Sequence, residues 1–305
     1  MADRKRKEKA SSSSSEVPRF KTLFHEAHYK TKLSARKVLL ELIIQVDESI
    51  LSPCAFQIKQ RKWEKFTNPI QAVGHNMVKE FYANTWEPDK EKRKPYTYTT
   101  MVRGKEISFA PSNIKRVLKL KKEPLPNAAS YHERKANKDY RLDHVQEDLC
   151  IEGGEWVRHK DRRPHYLRRV DLEPMRKGWY DFVCRSILPT TNRSKLTVER
   201  AVLIHSIIIG ENINVEEIIA DQFYKFIYMT DLSSSLPFPM TIANLAIHRH
   251  REEEMNQERM RQNQMVQEAT AERAREANKG KAREVVLDSE EEDSEELASN
   301  ASEEW

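Results

Sequence analysis

Between Arg158 and Lys177 the chain carries eight cations against three acids: Arg158, Lys160, Arg162, Arg163, Arg168, Arg169, Arg176 and Lys177. His159, His165, Tyr166 and, just beyond, Trp179 are interleaved with them. Guanidinium and ammonium groups neutralise phosphates, and rings such as that of Tyr166 stack on bases. The pattern therefore suits salt-sensitive, sequence-independent binding of nucleic acid. The same run also fits a solvated loop between two helices, and its spacing does not say which bases would be read.

The other reactive residue types form no recognised constellation. His25-Glu26-Ala27-His28 resembles a zinc-protease helix, but that motif sets its histidines four apart so that both face one side. Here the spacing is three, and no third ligand is evident. Cys54, Cys150 and Cys184 lie far apart, which excludes a zinc knuckle and fits reduced thiols inside a cell. No G-x-S-x-G elbow occurs, and Cys184 sits beside an apolar stripe where packing accounts for it. His205 falls in the most apolar stretch and reads as a satisfied core histidine, its basicity lowered by desolvation. Asp143, Asp181 and Asp221 could be grouped as metal-binding carboxylates, but among 48 acids such a triple can always be chosen. With 7 glycines and neither G-x-G-x-x-G nor G-x-x-x-x-G-K-[ST], no glycine loop is built to cradle a nucleotide. No cofactor, metal or small-molecule ligand is implied.

The elements that must position these residues are mostly helices. Asn68 and Pro69 can open one that carries Ile70, Val73, Met77 and Phe81 on one stripe. Leu142, Val145 and Leu149 make a second stripe, stopped by Gly153 and Gly154. Asp171 can cap a third, with Leu172, Met175, Trp179, Phe182 and Val183 on one side and Pro189 past its end. Thr197 can cap a fourth, in which Val198, Ala201 to Ile204 and Ile207 to Ile209 leave apolar groups nearly all round. Such a helix belongs in the middle of a core, and Gly210 is its expected stop. Asn214 and Glu217 resemble a capping box for a fifth, which turns Val215, Ile218, Ile219, Phe223, Phe226 and Ile227 inward. Tyr96 to Val102 is β-branched and aromatic, and Ile107 to Phe109 alternates after Arg103-Gly104-Lys105, which predicts a hairpin. Pro111 closes it, and Ser112 can cap a short helix carrying Ile114, Val117 and Leu118. Val38 to Val46 fits helix or strand equally.

Composition sets the boundaries. Of 25 aromatic residues, 24 lie between Phe20 and Phe238. The stretch before them joins a basic block, Arg4-Lys5-Arg6-Lys7, to a serine run. That block can be read by a nuclear import receptor or can simply keep a disordered tail solvated. Residues 288–305 hold nine acids and no Lys or Arg, so the remainder carries +14 within a total of +5. A run of this kind repels itself and stays extended. Residues 241–286 contain no Pro and predict one polar helix; Met255 is the only apolar residue from His248 to Glu258, so no heptad seam can be written. A solvated single helix is the default and a coiled-coil dimer the alternative. The longest apolar run falls short of the ~20 residues that cross a bilayer, and no signal-peptide core follows Met1. The chain thus reads as intracellular, nuclear or cytoplasmic, with no membrane partner.

Four pieces occur in a telling order: Val78-Lys79-Glu80-Phe81-Tyr82-Ala83-Asn84; Val102-Arg103-Gly104-Lys105-Glu106-Ile107-Ser108-Phe109 with Asn113-Ile114; Arg200-Ala201-Val202-Leu203 leading to Gly210-Glu211-Asn212-Ile213-Asn214-Val215; and Leu236-Pro237-Phe238-Pro239-Met240-Thr241-Ile242. Over roughly residues 36–247 the chain resembles the putative plant transposon protein domain. It departs where Ala243-Asn244-Leu245-Ala246 continues into a charged helix. The resemblance implies a protein derived from a plant mobile element, and it brings no catalytic residues with it.

The expected fold is mainly α: a disordered basic tail over 1–19, one helical domain with a small β-hairpin over 20–247, a polar helix over 248–286 and an acidic disordered tail over 287–305. The expected function is a non-catalytic element-derived protein that binds nucleic acid or a second copy of itself. The alternative is a degenerate or partial transposase needing Mg²⁺ or Mn²⁺, whose three carboxylates would have to meet in one cleft.

Overall fold

The structure of the chain, a computed structural model, describes residues 18–41, 52–67, 73–87, 97–121, 142–229 and 231–300, with side chains as far as residue 279 except those of residues 52 and 53. Arg4 to Lys7, Asn68, Pro69, Ile70, Tyr96 and residues 42–46 of the ambiguous apolar run lie outside these residues. The chain divides into two compact units, Met1–His248 and Arg249–Trp305.

In the first unit, α1 (Leu23–His28) runs into a π turn at Tyr29–Leu33, followed by α2 (Ser52–Arg61), α3 (Glu64–Thr67) and α4 (His75–Thr85). Strands β1 (Thr99–Val102) and β2 (Lys105–Ser108) lead to α5 (Pro111–Leu118) and α6 (Leu142–Leu149). Next come β3 (Val157–Arg158), β4 (Pro164–Arg168), α7 (Pro174–Ser186) and β5 (Lys195–Thr197). The last elements are α8 (Val198–Ile208), α9 (Val215–Ile227) and α10 (Pro239–Asn300), which continues into the second unit.

The helix expected at the centre is there. Every residue of α8 from Ala201 to Ile207 is buried, and α6, α7, β4 and β5 all pack against it. Gly210, at φ +81, ends the helical run in a left-handed turn that a Cβ would strain. A second focus is aromatic: the Phe223 ring lies 5.0 Å from those of Phe81 and Phe238 and 5.7 Å from that of Phe109. Offset and edge contacts of this kind add to the area that these rings bury.

Local chemistry explains the β1–β2 hairpin. Arg103 and Gly104 both have positive φ, 52° and 72°, as a two-residue turn matched to strand twist requires. Helix α4 holds that turn with two buried polar residues. Glu80 accepts the Arg103 N–H at 2.5 Å on one oxygen and the Arg19 Nε–H at 3.1 Å on the other. Asn84 accepts the Lys21 N–H and donates to the carbonyls of Arg19 and Met101. These groups can stay buried because their hydrogen-bonding capacity is met locally. The described part of the ambiguous run is extended, and Val38 bridges Leu236 in parallel.

Several boundaries differ from expectation. Helix α4 starts at His75 after an extended Gly74, so Val73 precedes it. Pro111 takes the first position of α5, which moves the cap from Ser112 to Ala110. Pro174 does the same for α7: Glu173 is its N-cap, and Asp171 sits in a 3-10 turn. The largest omission is an antiparallel sheet in the order β3-β4-β5, in place of the solvated loop. No described helix is long and apolar enough to cross a membrane.

In the second unit, α10 runs through Gly280 to Asn300, where a disordered acidic tail is predicted. No proline interrupts it, and one interior glycine costs only about 1 kcal/mol relative to alanine. Met255, Met260 and Met265 are exposed; each step of five residues turns the side chain by about 140°, so they spiral around the helix rather than form a seam.

The start of α10 generates a test. The Glu41 carboxylate accepts the Met240 N–H at 3.1 Å, and burial pushes its pKa up from 4.5 to about 8. A carboxyl raised on folding contributes stability that is complete below the unfolded value and is lost as pH rises through the folded one. Urea unfolding should therefore show stability falling between pH 4.5 and 8, and Glu41→Gln should flatten that decline. Glu41 keeps partial exposure, so solvent screening narrows the pH window of that decline relative to full burial.

Candidate nucleic-acid interface

Strand β4 is the middle of its sheet. Leu167 and, across the ladder, Leu196 are completely buried. Strand alternation then turns Tyr166 and Arg168 to the opposite face, opposite Thr197 and Lys195 respectively. The Lys195 ammonium stands 4.8 Å from the Tyr166 ring centroid, a cation–π distance. On the other edge Val157 pairs with Tyr166 and Arg158 with Pro164, with a bulge between the two pairs. Pro164 opens β4, a position at which its missing N–H is tolerated.

The hairpin head is closed by backbone hydrogen bonds from His159 N–H to Arg163 O and from Arg162 N–H to His159 O. Arg162 adopts φ +66 there. The His159 and His165 rings stack 3.9 Å apart across the ribbon. His165 is held below its ordinary pKa, by desolvation and then by the nearby charges of His159 and Lys195.

This geometry sorts the basic stretch into two groups. Arg158, Lys160 and Arg162 are exposed on the head and have no carboxylate partner among the described residues; Arg158 donates to the Arg162 carbonyl. Arg163 is also exposed, and its hydrogen bonds hold the Asp161 carboxyl below the usual range. Arg168, on the outer sheet face, donates to Asp171 at 2.7 Å. The remaining cations serve the body. Arg169 donates to Asp181 at 2.8 Å, and Arg193 binds the same carboxylate. Arg176 reaches the Asp148 carbonyl at 3.0 Å and lies near Glu173, while half-buried Lys177 has no carboxylate partner among the described residues. Lys195, absent from the sequence-derived set, is brought in by β5, a strand of three residues too short to announce itself by alternation.

The reactive residues elsewhere occupy ordinary structural places. His25 pairs with the Thr22 hydroxyl, and His28 stacks on Trp86 at 4.1 Å, its pKa lowered to about 4 first by burial. His205 is buried with its Nε2 2.8 Å from Asp148. All three cysteines are buried and free, and burial pushes the Cys54 and Cys150 thiols up to about 11. Among the described residues no group of three His, Cys, Asp or Glu side chains could hold a metal ion.

Residues 59–252, more than half of the chain, match the putative plant retrotransposon-related domain. The chain belongs to this family. No curated protein and no solved structure matches it. The retrotransposon-related domain takes in both sheets and every helix from α3 to α9, and it ends in the first turns of α10. Its origin in a plant transposon is the one the four sequence pieces imply.

The Asp181 cluster ties the retrotransposon-related domain's 3-10 turn and the segment before β5 to α7. Asp181→Asn should lower the unfolding free energy by about 1 kcal/mol, and combining it with Arg169→Gln should add less than the two changes separately. Asp161→Asn on the exposed head should leave the melting temperature unchanged.

Proposed function

We propose that this retrotransposon-related protein binds nucleic acid without catalysing a reaction, and that it grips phosphates with the head of the β3–β4 hairpin. The observation that carries the reading is the set of exposed cations, Arg158, Lys160 and Arg162, with no carboxylate partner among the described residues. The Tyr166–Lys195 pair, on the sheet that supports this head, supplies an aromatic ring and a further charge. A two-stranded ribbon fits the width of a DNA major groove, while phosphate contacts alone would bind any sequence. The three cysteines are buried, so none offers an exposed thiol nucleophile. A metal-dependent strand transferase would need a converging carboxylate triple, and among the described residues none converges.

A salt titration against mixed-sequence single- and double-stranded DNA and RNA tests this. Log affinity should fall linearly with log salt, and replacing Arg158, Lys160 and Arg162 together with Gln should reduce the magnitude of that slope by roughly 2–3. Absence of binding at low salt, or an unchanged slope in the triple variant, would overturn the proposal.

A further inference from the structure

Helix α2, the turn after α8 and Lys121 line an open cavity of about 230 Å³, away from the basic hairpin in sequence. Its lining includes Phe56, Gln57, Gln60, Lys121, Gly210 and Asn212. Three features set it apart from an ordinary surface cleft.

The first is a misplaced ring. Phe56 is 61% exposed, on the face of α2 opposite buried Cys54, Ala55 and Ile58, so its packing does nothing for the core. The second is a wall of carboxamides. Gln60 follows Phe56 by one helical turn on the same ridge, and Asn212 faces them from the turn. Gln57 donates through Nε2 to the Ile208 carbonyl at 3.3 Å, while its Oε1 is enclosed with no hydrogen-bond partner. The third is rigidity. Arg61 stands over Trp63, its Cζ 5.2 Å from the ring centroid, and donates to the carbonyls of Glu211 and Ile207, so α2 and the end of α8 are fixed to each other. Gly210 adds no side chain to the space.

A flat ring stacks on an exposed phenyl group, carboxamides pair with groups that both donate and accept, and an ammonium such as that of Lys121 binds a phosphate. Those three demands meet in one nucleotide. We propose that this cavity holds one unpaired nucleotide, its base on Phe56, its edge on the Gln60 amide and its phosphate near Lys121. The site is independent of the hairpin and takes no base from a duplex, because a base within a duplex cannot leave its stack without cost. The nucleotide could come from a free pool or from a strand, and the test separates these sources.

The probes are the four ribonucleoside 5′-monophosphates and single-stranded homopolymers of roughly 10 nucleotides, with a hairpin duplex as control. Binding is measured with the full chain at about 0.5 M salt, where the hairpin's phosphate contacts are largely screened. Single-strand binding should persist there, and Phe56→Ala should weaken it roughly 10-fold without altering duplex binding at low salt. Phe56→Leu should fail in the same way, whereas Phe56→Trp should restore or exceed the original affinity, which separates ring stacking from simple apolar contact. Gln60→Ala should change the ranking among the four bases. Because Phe56 and Gln60 are exposed, these variants keep the core intact. Saturable monophosphate binding that is lost in Phe56→Ala assigns the free nucleotide, and homopolymer binding alone assigns the strand. Equal affinities of Phe56→Ala and the unsubstituted chain for every probe, or no binding of either a monophosphate or a single strand at this salt, would overturn the site while leaving the hairpin reading standing.

Discussion

A helix apolar on every side has no stable place except the interior, and α8 is that helix here. Burying it dictates what surrounds it, because each face needs its own apolar partner: α6 and α7 supply two, and the β4–β5 pair supplies another. Its ends matter as much as its sides. At the N-terminus β5 runs directly into α8, so the sheet is anchored where the helix begins. At the C-terminus Arg61 and Gln57 from α2 donate to the Ile207 and Ile208 carbonyls. The ribbon of cations and the carboxamide cavity thus hang from opposite ends of one buried rod.

That rod was legible because its signal is composition, which survives without knowledge of any partner. The same holds for turns in which one residue type decides the backbone: Gly104 and Gly210 sit at positive φ, as their settings predict. Where two local signals compete, proline wins over capping side chains. Pro111 and Pro174 each fix the first helical residue and push Ser112 and Asp171 out of the capping role, since the pyrrolidine ring sets φ before any hydroxyl or carboxylate can choose a partner.

The β3-β4-β5 sheet was not legible, and the reason is length. Strands of two, five and three residues give alternation too few periods to register, and β4 spends its outward positions on Tyr166 and Arg168. What makes β4 a strand is the pairing of Leu167 with Leu196 beneath α8, a contact between segments separated by the whole of α7. The candidate site inherits the same blindness. Eight cations counted along the chain look like one patch, yet the fold divides them by where acids happen to lie in space. Asp181 claims Arg169 from twelve positions away, and it also takes Arg193 from the far side of α7.

Such a division follows from what charges cost in each setting. Arg169 and Arg176 lie partly buried against the body, where Asp181 offsets lost water for the one and the Asp148 carbonyl and Glu173 do so for the other, whereas Arg168 stays exposed beside Asp171. On the head, water itself solvates the cations, so no acid is required; like charges 4 Å apart in water repel by only about 1 kcal/mol. That repulsion is tolerable only if the ribbon beneath is held by something other than its own tip. Leu167 and Leu196 do this from below, and Asp171 draws off the charge of Arg168 where it faces Lys195 across the ladder. Among the described residues the carboxylates at the base leave the surplus cations at the head, and such a surface on a fixed support is one that a polyanion can relieve.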